Sequence, residues 1–473
     1  MKSIIFLLTV IFFFWEVSVN SQVNGNFETY SFTAQINDSQ ILNAEVSSYL
    51  DNNNVTHIAW VKDDGTNRFL MYSKFSPVTK QFTTIQLEAG SKEVKIAPKI
   101  ITDSNNNPHI VYIMKRDPNG GTKNGNYAVM YVGDGNGDGV FDILQVSANP
   151  KDQTVAVDNI YNCYVNDRPS IMLIGSDIYI SYTGDYKKYL IFAKKNGNSW
   201  TYSQEINLEE VGGYDVDFGV SFPAKASSIN YGGLIGIGSY SPRIAYKSGT
   251  WNISEITGYS GTLGTNKHVS IVIDKDQKHH YMWFNTKNGK FCHTTLLNNT
   301  FGVIDEYSVL SSYAGNLFPA TVDISTGLPV YFYNLQSGSA KIIIGSKEIE
   351  IKNIGVGYGK DALHARNGYI SLTTASQGNQ KIYVSTNTGI AIGINDLIHQ
   401  KVKIYPNPAV SEIQIQGIEG KAVVNFYSMD GKLHINKEIL ESEIIPISSL
   451  PVGFYIVKIQ TDYGMIEKKL IKK

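Results

Sequence analysis

The sequence predicts an all-β protein, in which a seven-bladed β-propeller is followed by a small C-terminal β-sandwich. The composition favours short strands joined by tight turns, with 30 tyrosines, 20 phenylalanines and 42 glycines among 473 residues. A polar turn that leads into a short alternating strand occurs at Asp51–Trp60 and again at Asp103–Tyr112, so His57 and His109 lie 52 residues apart. A turn-and-strand unit repeated at this period is typical of a ring or stack of small sheets.

The first 21 residues predict export. Met1-Lys2 precedes an uncharged apolar run, Ile4–Trp15, and small or neutral residues lead to a cleavage point after Ser21. This order is typical of a secretory signal peptide, residues 1–21. The run is shorter than the roughly 20 residues that cross a bilayer, and no later stretch approaches that length, so we expect no integral membrane span.

The balance of basic and acidic residues limits which classes of partner the protein can bind. The chain has 41 basic and 42 acidic residues, which argues against a nucleic-acid partner, because such proteins carry a basic stripe. Five of the basic residues are arginines, and this small number limits any site that binds carboxylates through arginine pairs.

Residues 22–394 are predicted to form the propeller. Seven units consist of a turn followed by a strand, and their strands open at His57-Ile-Ala-Trp60, His109-Ile-Val-Tyr112, Tyr179-Ile-Ser-Tyr182, Leu234-Ile-Gly-Ile237, His280-Tyr-Met-Trp283, Val330-Tyr-Phe-Tyr333 and Tyr369-Ile-Ser-Leu372. Three to four strands per unit of about 50 residues is the pattern of a propeller blade. The strand near Phe27–Phe32 is expected to complete the last blade. A pair of β-sandwiches is the alternative.

Two segments in the middle of the chain resemble a known repeat. Gly197-Asn-Ser-Trp200 and Ser248-Gly-Thr-Trp251 resemble the end of the Asp-box repeat, Ser-x-Asp-x-Gly-x-Thr-Trp, of sialidase-like propellers. The first copy departs from it at Ala193 and Lys195, and the glycine of the second copy falls one place late. The box is structural in that family, so the resemblance implies blade hairpins.

The pattern of sequence motifs changes after Ile394, and residues 395–400 are predicted to be a linker. Residues 401–473 contain Tyr405-Pro-Asn-Pro408, Asp430-Gly-Lys432, Leu450-Pro-Val-Gly453-Phe-Tyr455 and a basic end, Lys468–Lys473. This tail resembles the C-terminal sorting domain of the type IX secretion system of Bacteroidota. The resemblance implies transport by the type IX secretion machinery, removal of the tail, and attachment of the remaining passenger to the cell surface or its release.

A glycine-rich loop predicts a structural calcium site. Side-chain oxygens recur at Asp134, Asn136, Asp138 and Asp142, the backbone carbonyl of Val140 falls between them, and Gly139 permits the sharp turn. Calcium takes six to eight oxygen ligands, which alternate residues of a tight loop can supply. The loop resembles the FG-GAP loops of integrin-type propellers, although Gln145 replaces the glutamate of an EF-hand. A metal-free hairpin and a catalytic metal remain the alternatives.

The histidines and cysteines favour structural roles. His57, His109 and His280 occupy equivalent places in three units, and repetition favours hydrogen bonding over catalysis, because a catalytic group need occur only once. Cys163 and Cys292 are interpreted as two buried thiols, with a disulfide as the alternative.

Two functions fit this reading, and no catalytic residue is assigned. The first is binding of glycans or surface proteins, for adhesion or nutrient capture, with aromatics such as Tyr161, Tyr164, Tyr214 and Tyr358 as stacking platforms. The second is a polysaccharide-degrading lyase or glycosidase. A lyase needs a base, an acid and a cation beside the uronate, and the candidates are His109, Tyr112, Lys115 and Arg116, unless they form only a solvated hairpin.

Overall fold

The computed structural model shows an all-β chain. It describes residues 22–24, 27–36, 46–88, 94–115, 127–134, 139–147, 169–184, 189–207, 218–221, 225–226, 232–236, 243–248, 250–255, 269–285, 289–297, 300–309, 313–314, 319–335, 339–344, 347–352, 354, 362–376, 380–387, 402–417, 421–428, 431–440, 443–461 and 464–473. Every regular element in these ranges is a β-strand. Within the same ranges, no helix is long and apolar enough to cross a membrane. The predicted signal peptide (1–21) and linker (395–400) lie outside the described residues.

The described part of the body, residues 22–387, is built of antiparallel meanders, in which each strand pairs with the next. Meander 1 comprises β3 (Val46–Leu50), β4 (Thr56–Asp63), β5 (Arg68–Ser76) and β6 (Gln81–Gln86). Meander 2 comprises β7 (Val94–Thr102), β8 (Pro108–Lys115), β9 (Tyr127–Gly133) and β10 (Asp142–Gln145). Meander 3 comprises β11 (Ser170–Ile174), β12 (Asp177–Gly184), β13 (Tyr189–Asn196) and β14 (Ser199–Asn207).

Meanders 4 and 5 are less regular. Meander 4 comprises β15 (Phe218–Ser221), β17 (Gly232–Gly236), β18 (Arg243–Ser248) and β19 (Thr250–Glu255). Between its first two strands, β16 (Lys225–Ala226) pairs in parallel with β11 of meander 3. Meander 5 comprises β20 (Val269–Ile273), β21 (His279–Asn285) and β22 (Lys290–Leu297), with β23 (Thr300–Phe301) and β24 (Asp305–Ser308) both paired to β22.

Meanders 6 and 7 share one ten-stranded sheet. Meander 6 comprises β26 (Ala320–Asp323), β27 (Leu328–Leu335), β28 (Ala340–Ile344) and β29 (Lys347–Ile351), with β25 (Tyr313–Ala314) beside β27. Meander 7 comprises β30 (Leu363–Arg366), β31 (Tyr369–Ser376), β32 (Lys381–Asn387) and, as its fourth strand, β2 (Phe27–Thr33), which carries β1 (Gln22–Asn24). A single parallel residue pair, Asp323 and Ala365, joins the two meanders.

The seven predicted strand openings all fall on the second strand of a meander: β4, β8, β12, β17, β21, β27 and β31. The N-terminal strand also behaves as predicted. β2 pairs with β32 along its whole length, from Phe27 opposite Asn387 to Thr33 opposite Lys381. The last meander is therefore completed by the beginning of the chain.

The meanders pack face to face on shared apolar clusters. β4 is buried on both faces, as in the run from His57 to Val61, because meander 1 packs against meander 2 on one side and meander 7 on the other. One cluster spans meanders 1 to 3, and others join meanders 5 and 6, 6 and 7, and 7 and 1. At the junction of meanders 7 and 1, the Tyr30 and Phe75 rings lie 4.9 Å apart and those of Phe32 and Trp60 5.7 Å apart.

Antiparallel pairing gives each meander two different edges. We call the edge that holds the connections between strands 1 and 2 and between strands 3 and 4 the turn edge. The opposite edge, with the connections between strands 2 and 3 and from strand 4 to the next meander, is the loop edge.

The turn edges of meanders 5, 6, 7 and 1 contact one another in that order. The Lys275 N–H donates to the Ile324 carbonyl (2.8 Å), and the Gly368 N–H donates to the Asp323 carboxylate (2.5 Å). Arg366 in turn donates to the Asn52 side chain, so the turn edges of meanders 5, 6, 7 and 1 lie together.

The tail is a second, smaller unit of two sheets. One sheet has the order β33 (Lys403–Tyr405), β34 (Glu412–Gln416), β37 (Ile444–Pro446). The other has the order β36 (Leu433–Leu440), β35 (Lys421–Ser428), β38 (Gly453–Thr461), β39 (Gly464–Lys472). Ile413 and Ile415 of the first sheet share one buried cluster with Phe426 and Val457 of the second.

Candidate functional site

The turn edge of meanders 1, 2 and 5 carries the same capped turn three times. Asp51, Asp103 and Asp274 each end the first strand, and one carboxylate oxygen of each accepts the N–H groups two and four residues further on, at 2.8 to 2.9 Å. The residue three places after each aspartate has a positive φ: Asn54 (60°), Asn106 (65°) and Gln277 (61°). The carboxylate of each aspartate thus accepts hydrogen bonds from N–H groups of the turn, in place of backbone carbonyls.

A histidine six residues after each aspartate links the turn to the strands of the sheet. Nε2 of His57 donates to the second carboxylate oxygen of Asp51 (3.1 Å), and Nε2 of His280 donates to that of Asp274 (3.0 Å). Nε2 of His109 lies 3.8 Å from the Asp103 carboxylate. The other ring nitrogen faces the third strand, and its partners are the Tyr72 hydroxyl (2.6 Å), the Tyr131 hydroxyl (2.8 Å) and Nε2 of His293 (2.9 Å). We call each aspartate–histidine–partner set a clamp, because it joins the turn to two strands.

Burial sets the protonation of the clamps. It raises the pKa of the Tyr72 and Tyr131 hydroxyls well above their usual value and lowers the pKa of His109. Burial also raises the pKa of Asp51, but the hydrogen bonds from His57 and from the Val55 N–H outweigh it and leave that pKa below its usual value. Since His57, His109 and His280 are all buried, a solute cannot reach them while the sheet is closed. Hydrogen bonding, the role favoured by their repetition, is the role that the geometry gives these histidines.

The proposed lyase set is not brought together by the structure. His109 and Tyr112 are three places apart on β8, so they point to opposite faces of the sheet. His109 meets Tyr131, whereas the Tyr112 hydroxyl donates to Glu88 at the end of the preceding meander. Lys115 is the last residue of β8, and Arg116 lies outside the described residues.

The predicted calcium loop connects β9 to β10 at the turn edge of meander 2. Its ends are adjacent, because Asp142 pairs with Gly133. One carboxylate oxygen of Asp134 accepts the Gly139 N–H (3.1 Å), and the other is buried without a hydrogen-bond partner among the described residues. Gly139 has a φ of 82°, and the side chains of Val140 and Asp142 are exposed. Asn136 and Asp138 lie outside the described residues.

A buried carboxylate oxygen without a donor fits a bound cation, because a desolvated charge needs a partner. The described ligands alone do not form a metal site: in these ranges no group of three or more His, Cys, Asp or Glu could hold a metal ion. Any calcium here would therefore also depend on the oxygens of Asn136 and Asp138, and on the Val140 carbonyl that the sequence places between them.

The loop edge carries most of the long connections, although 222–231 at the turn edge of meander 4 is also ten residues long. The residue numbers of the flanking strands show that 34–45, 116–126, 146–169, 208–217 and 256–268 all connect strands at this edge. The turn edge has short connections such as Asp51–Val55, Asp103–Asn107 and Asp274–Lys278. The aromatic candidates Tyr161, Tyr164, Tyr214 and Tyr358 belong to loop-edge segments that lie outside the described residues.

The structure also shows where the segments with the Asp-box resemblance and one of the two cysteines lie. Gly197 (φ 58°) forms the turn between β13 and β14, and Trp200 and Trp251 lie on the fourth strands of their meanders. Cys292 is fully buried on β22, opposite Trp283. Cys163 lies outside the described residues.

Comparison with known families identifies the tail. The family of the secretion system C-terminal sorting domain matches residues 403–473. The tail is a type IX sorting domain. It directs the protein through the type IX secretion system to the cell surface or the extracellular space, as its Tyr405–Pro408 and Leu450–Tyr455 motifs predicted.

The sorting domain shows which of its motif residues are structural. Tyr455 and Leu450 are buried in the cluster shared by its two sheets, and the Tyr455 hydroxyl donates to the Pro451 carbonyl (2.8 Å). Asn407, within the Tyr-Pro-Asn-Pro motif, bonds the backbone of β39 at Lys469 (2.8 Å) and Ile471 (3.0 Å). The opening motif therefore fastens the first sheet to the basic C-terminal strand.

Solved structures to which the chain is distantly similar include three proteins. AofleA from Arthrobotrys oligospora is 10% identical, with 69% of this chain and 90% of that chain covered and a TM-score of 0.42. The polysaccharide lyase Uly1 is 10% identical, with 72% and 89% covered and a TM-score of 0.41. A Trypanosoma rangeli sialidase, solved with the inhibitor DANA, is 8% identical, with 93% and 89% covered and a TM-score of 0.40. Likenesses this distant do not decide among functions. No curated protein sequence matches the chain.

Proposed function

We propose that the protein is an exported, seven-bladed β-propeller that binds glycans at its loop edge. In this proposal each meander is one blade, and meander 7 lies beside meander 1. Two contacts support closure: the Thr56 and Ser371 hydroxyls are hydrogen-bonded across this junction (2.7 Å), and Arg366 reaches Asn52. A closed ring also explains why β2, near the start of the body, pairs with β32 in the last meander, since this pairing joins the two ends of the body.

The observation that carries the binding site is the contrast between the two edges. The turn edge is occupied by capped turns and buried clamps, whereas the segments 116–126, 146–169, 208–217 and 256–268 all leave from the loop edge. Binding surfaces are commonly built from long connections on a rigid scaffold. Several loop-edge segments also carry tyrosines beside glycine, asparagine, aspartate or serine: Tyr161, Tyr214, Tyr240, Tyr259 and Tyr358. Tyrosine rings stack on sugar faces, and the neighbouring polar groups can bond to hydroxyls.

The destination follows from the sorting domain. In the mature protein, the signal peptide (1–21) and the sorting domain are removed, and the propeller is attached to the cell surface or released. There it meets extracellular glycans as an adhesion or nutrient-capture protein. A surface protein as ligand, and a polysaccharide lyase or glycosidase activity at the same edge, are outcomes of the tests below.

Binding can be measured with the body, residues 22–394, on an array of neutral and acidic glycans, followed by titration with the best ligand. We expect Tyr214→Ala or Tyr358→Ala to raise the Kd about 3- to 10-fold, because a stacking ring is lost. The matched control, Tyr→Phe at the same position, keeps the ring and should retain most of the affinity. No binding to any glycan, with retained binding to an isolated surface protein, would contradict the proposal.

Turnover separates binding from catalysis. Acidic polysaccharides are incubated with the body, and absorbance from an unsaturated product reports a lyase, whereas new reducing ends without that absorbance report a glycosidase. Binding without either signal supports the binding function. Either signal would establish the enzymatic alternative instead.

We also propose that calcium stabilises the loop Asp134–Asp142, with Asp134, Asn136, Asp138 and Asp142 as side-chain ligands and Val140 as the carbonyl ligand. The buried, unpartnered oxygen of Asp134 supports a cation there. Calcium should raise the melting temperature of the body, since a ligand that binds only the folded state stabilises it. Asp134→Ala should abolish that increase, and Asp276→Ala, at an exposed turn position, should not. An identical melting temperature in calcium and in EDTA would contradict a calcium site.

A further inference from the structure

The clamp of meander 5 differs from the other two in its third member. Meanders 1 and 2 place a tyrosine hydroxyl against the clamp histidine, whereas meander 5 places His293 there. The His280 and His293 rings are stacked, with centroids 5.2 Å apart and planes 10° apart. Their facing nitrogens are 2.9 Å apart, and both side chains are buried.

The two kinds of clamp respond differently to a proton. A hydroxyl both donates and accepts, so Tyr72 and Tyr131 can bond to a neutral or a protonated histidine. An imidazole nitrogen either carries a hydrogen or accepts one. The facing nitrogens of His280 and His293 therefore share a single hydrogen. If both rings are protonated, two N–H groups point at each other across 2.9 Å, and the hydrogen bond is lost.

The surroundings allow one extra proton in this pair and oppose a second. Asp274 bonds the outer nitrogen of His280 (3.0 Å), and Asp305 on β24 lies 3.7 Å from the outer nitrogen of His293. Lys278, in the turn, opposes further positive charge, and the neighbouring His279 on β21 is partly buried. From meander 6, the turn at Gly327 packs over the pair: a Cβ built there would lie 3.1 Å from His280 and 3.3 Å from Asp274.

We propose that the His280–His293 pair makes the clamp of meander 5 more acid-labile than the tyrosine clamps of meanders 1 and 2, so that mild acid loosens meander 5 and its junction with meander 6 first. The proposal is independent of what the loop edge binds. It assigns to one blade a larger response to pH than the equivalent blades have.

The direction of the effect follows from linkage. Burial, then His280 and Lys278, lower the pKa of His293 to about 3, whereas a histidine in the unfolded chain has a pKa of about 6.5. Between these values the opened state binds more protons than the closed state, so opening becomes more favourable as the pH falls. The stability from this clamp is complete above about pH 6.5 and is lost progressively below it.

Hydrogen exchange of the full chain, followed by mass spectrometry, tests the proposal within one molecule. After correction for the intrinsic exchange rate, peptides from β21 and β22 should lose roughly tenfold or more of their protection between about pH 7 and about pH 5. Peptides from β4 and β5, and from β8 and β9, should lose much less. Equal losses in the three meanders would overturn the proposal.

Reciprocal substitutions test the cause. His293→Tyr gives meander 5 the clamp of meanders 1 and 2 and should remove the extra loss of protection, while Tyr72→His should transfer that loss to β4 and β5. If either variant fails to fold, the comparison among the three meanders of the unsubstituted protein still decides the matter. Acid sensitivity that stays in meander 5 after His293→Tyr would refute the role of the histidine pair.

Discussion

Asp51 shows how a single side chain can join three pieces of backbone in this fold. One of its oxygens accepts the N–H groups of Asn53 and Val55, and the other accepts a hydrogen bond from His57. His57 continues to Tyr72 on the next strand. Asp51, His57 and Tyr72 are buried whereas Asn53 is exposed, so removal of the carboxylate would chiefly cost the buried hydrogen bond from His57.

At this scale we predict that Asp51→Ala lowers the free energy of unfolding of the body by about 2–4 kcal/mol. Urea denaturation followed by tryptophan fluorescence measures the loss. Asp64→Ala is the matched control: Asp64 also caps its turn, through the Thr66 and Asn67 N–H groups, but water can replace it because the turn is exposed. Equal losses in the two variants would show that burial does not decide the value of the cap.

Only part of each clamp could be read from the sequence. The spacing of Asp51 to His57 recurs at Asp103 to His109 and at Asp274 to His280, so the aspartate and histidine were visible as a repeated pair. Their third members were not, because Tyr72, Tyr131 and His293 lie on another strand at separations of 15, 22 and 13 residues from the histidine. The length of the intervening hairpin varies, which removes any fixed spacing.

Among the elements, β2 has the most unusual place. It belongs to the beginning of the chain but pairs with β32 near the end of the body, and the Thr29 and Ser385 hydroxyls meet between the strands at 2.8 Å. Its aromatic side chains Tyr30 and Phe32 also pack against meander 1. The strand thus contributes both a sheet partner for meander 7 and a packing surface for meander 1.

We therefore predict that Thr29→Cys with Ser385→Cys forms a disulfide, because the two side chains lie directly opposite each other in a buried pair. The cross-link should stabilise the body by about 2–4 kcal/mol, through restriction of the unfolded chain. Peptide mapping identifies the bond, and thermal unfolding with and without reductant measures its effect. The single Thr29→Cys variant is the control. Failure of the cysteines to pair under oxidising conditions would contradict the register of β2.

Element positions followed closely from the sequence, whereas the irregular pieces did not. Turn residues followed by short runs of apolar and aromatic residues located all seven second strands and the closing strand, and burial of both faces of β4 and β31 accounts for such runs. The short β16, which pairs with meander 3 rather than meander 4, has two residues and no pattern of its own. The fourth strand of meander 5 is divided into β23 and β24, and the sequence there contains no signal for the division.

On the scale of the whole molecule, the body and the sorting domain have separate cores. All buried members of the sorting domain's cluster lie between Val402 and Leu470, and the clusters of the body contain none of them. Each unit therefore buries its own apolar surface, as a domain does.

We predict that the full chain unfolds in two calorimetric transitions and that truncation after residue 401 removes one of them without moving the other by more than about 2 °C. The temperature of the remaining transition is the measurement, and the isolated sorting domain, residues 402–473, is the control. A large decrease in the stability of the body after truncation would show that the two cores depend on each other.

The account depends most on the closed ring of seven blades, because both edges, and the site proposed on one of them, are defined by it. A crystal structure of the body, residues 22–394, tests this directly. We expect seven four-stranded sheets around one axis, with β2 as the outer strand of the seventh and the long connections together on one face. Two stacked β-sheet layers, or a gap between meanders 7 and 1, would contradict the account.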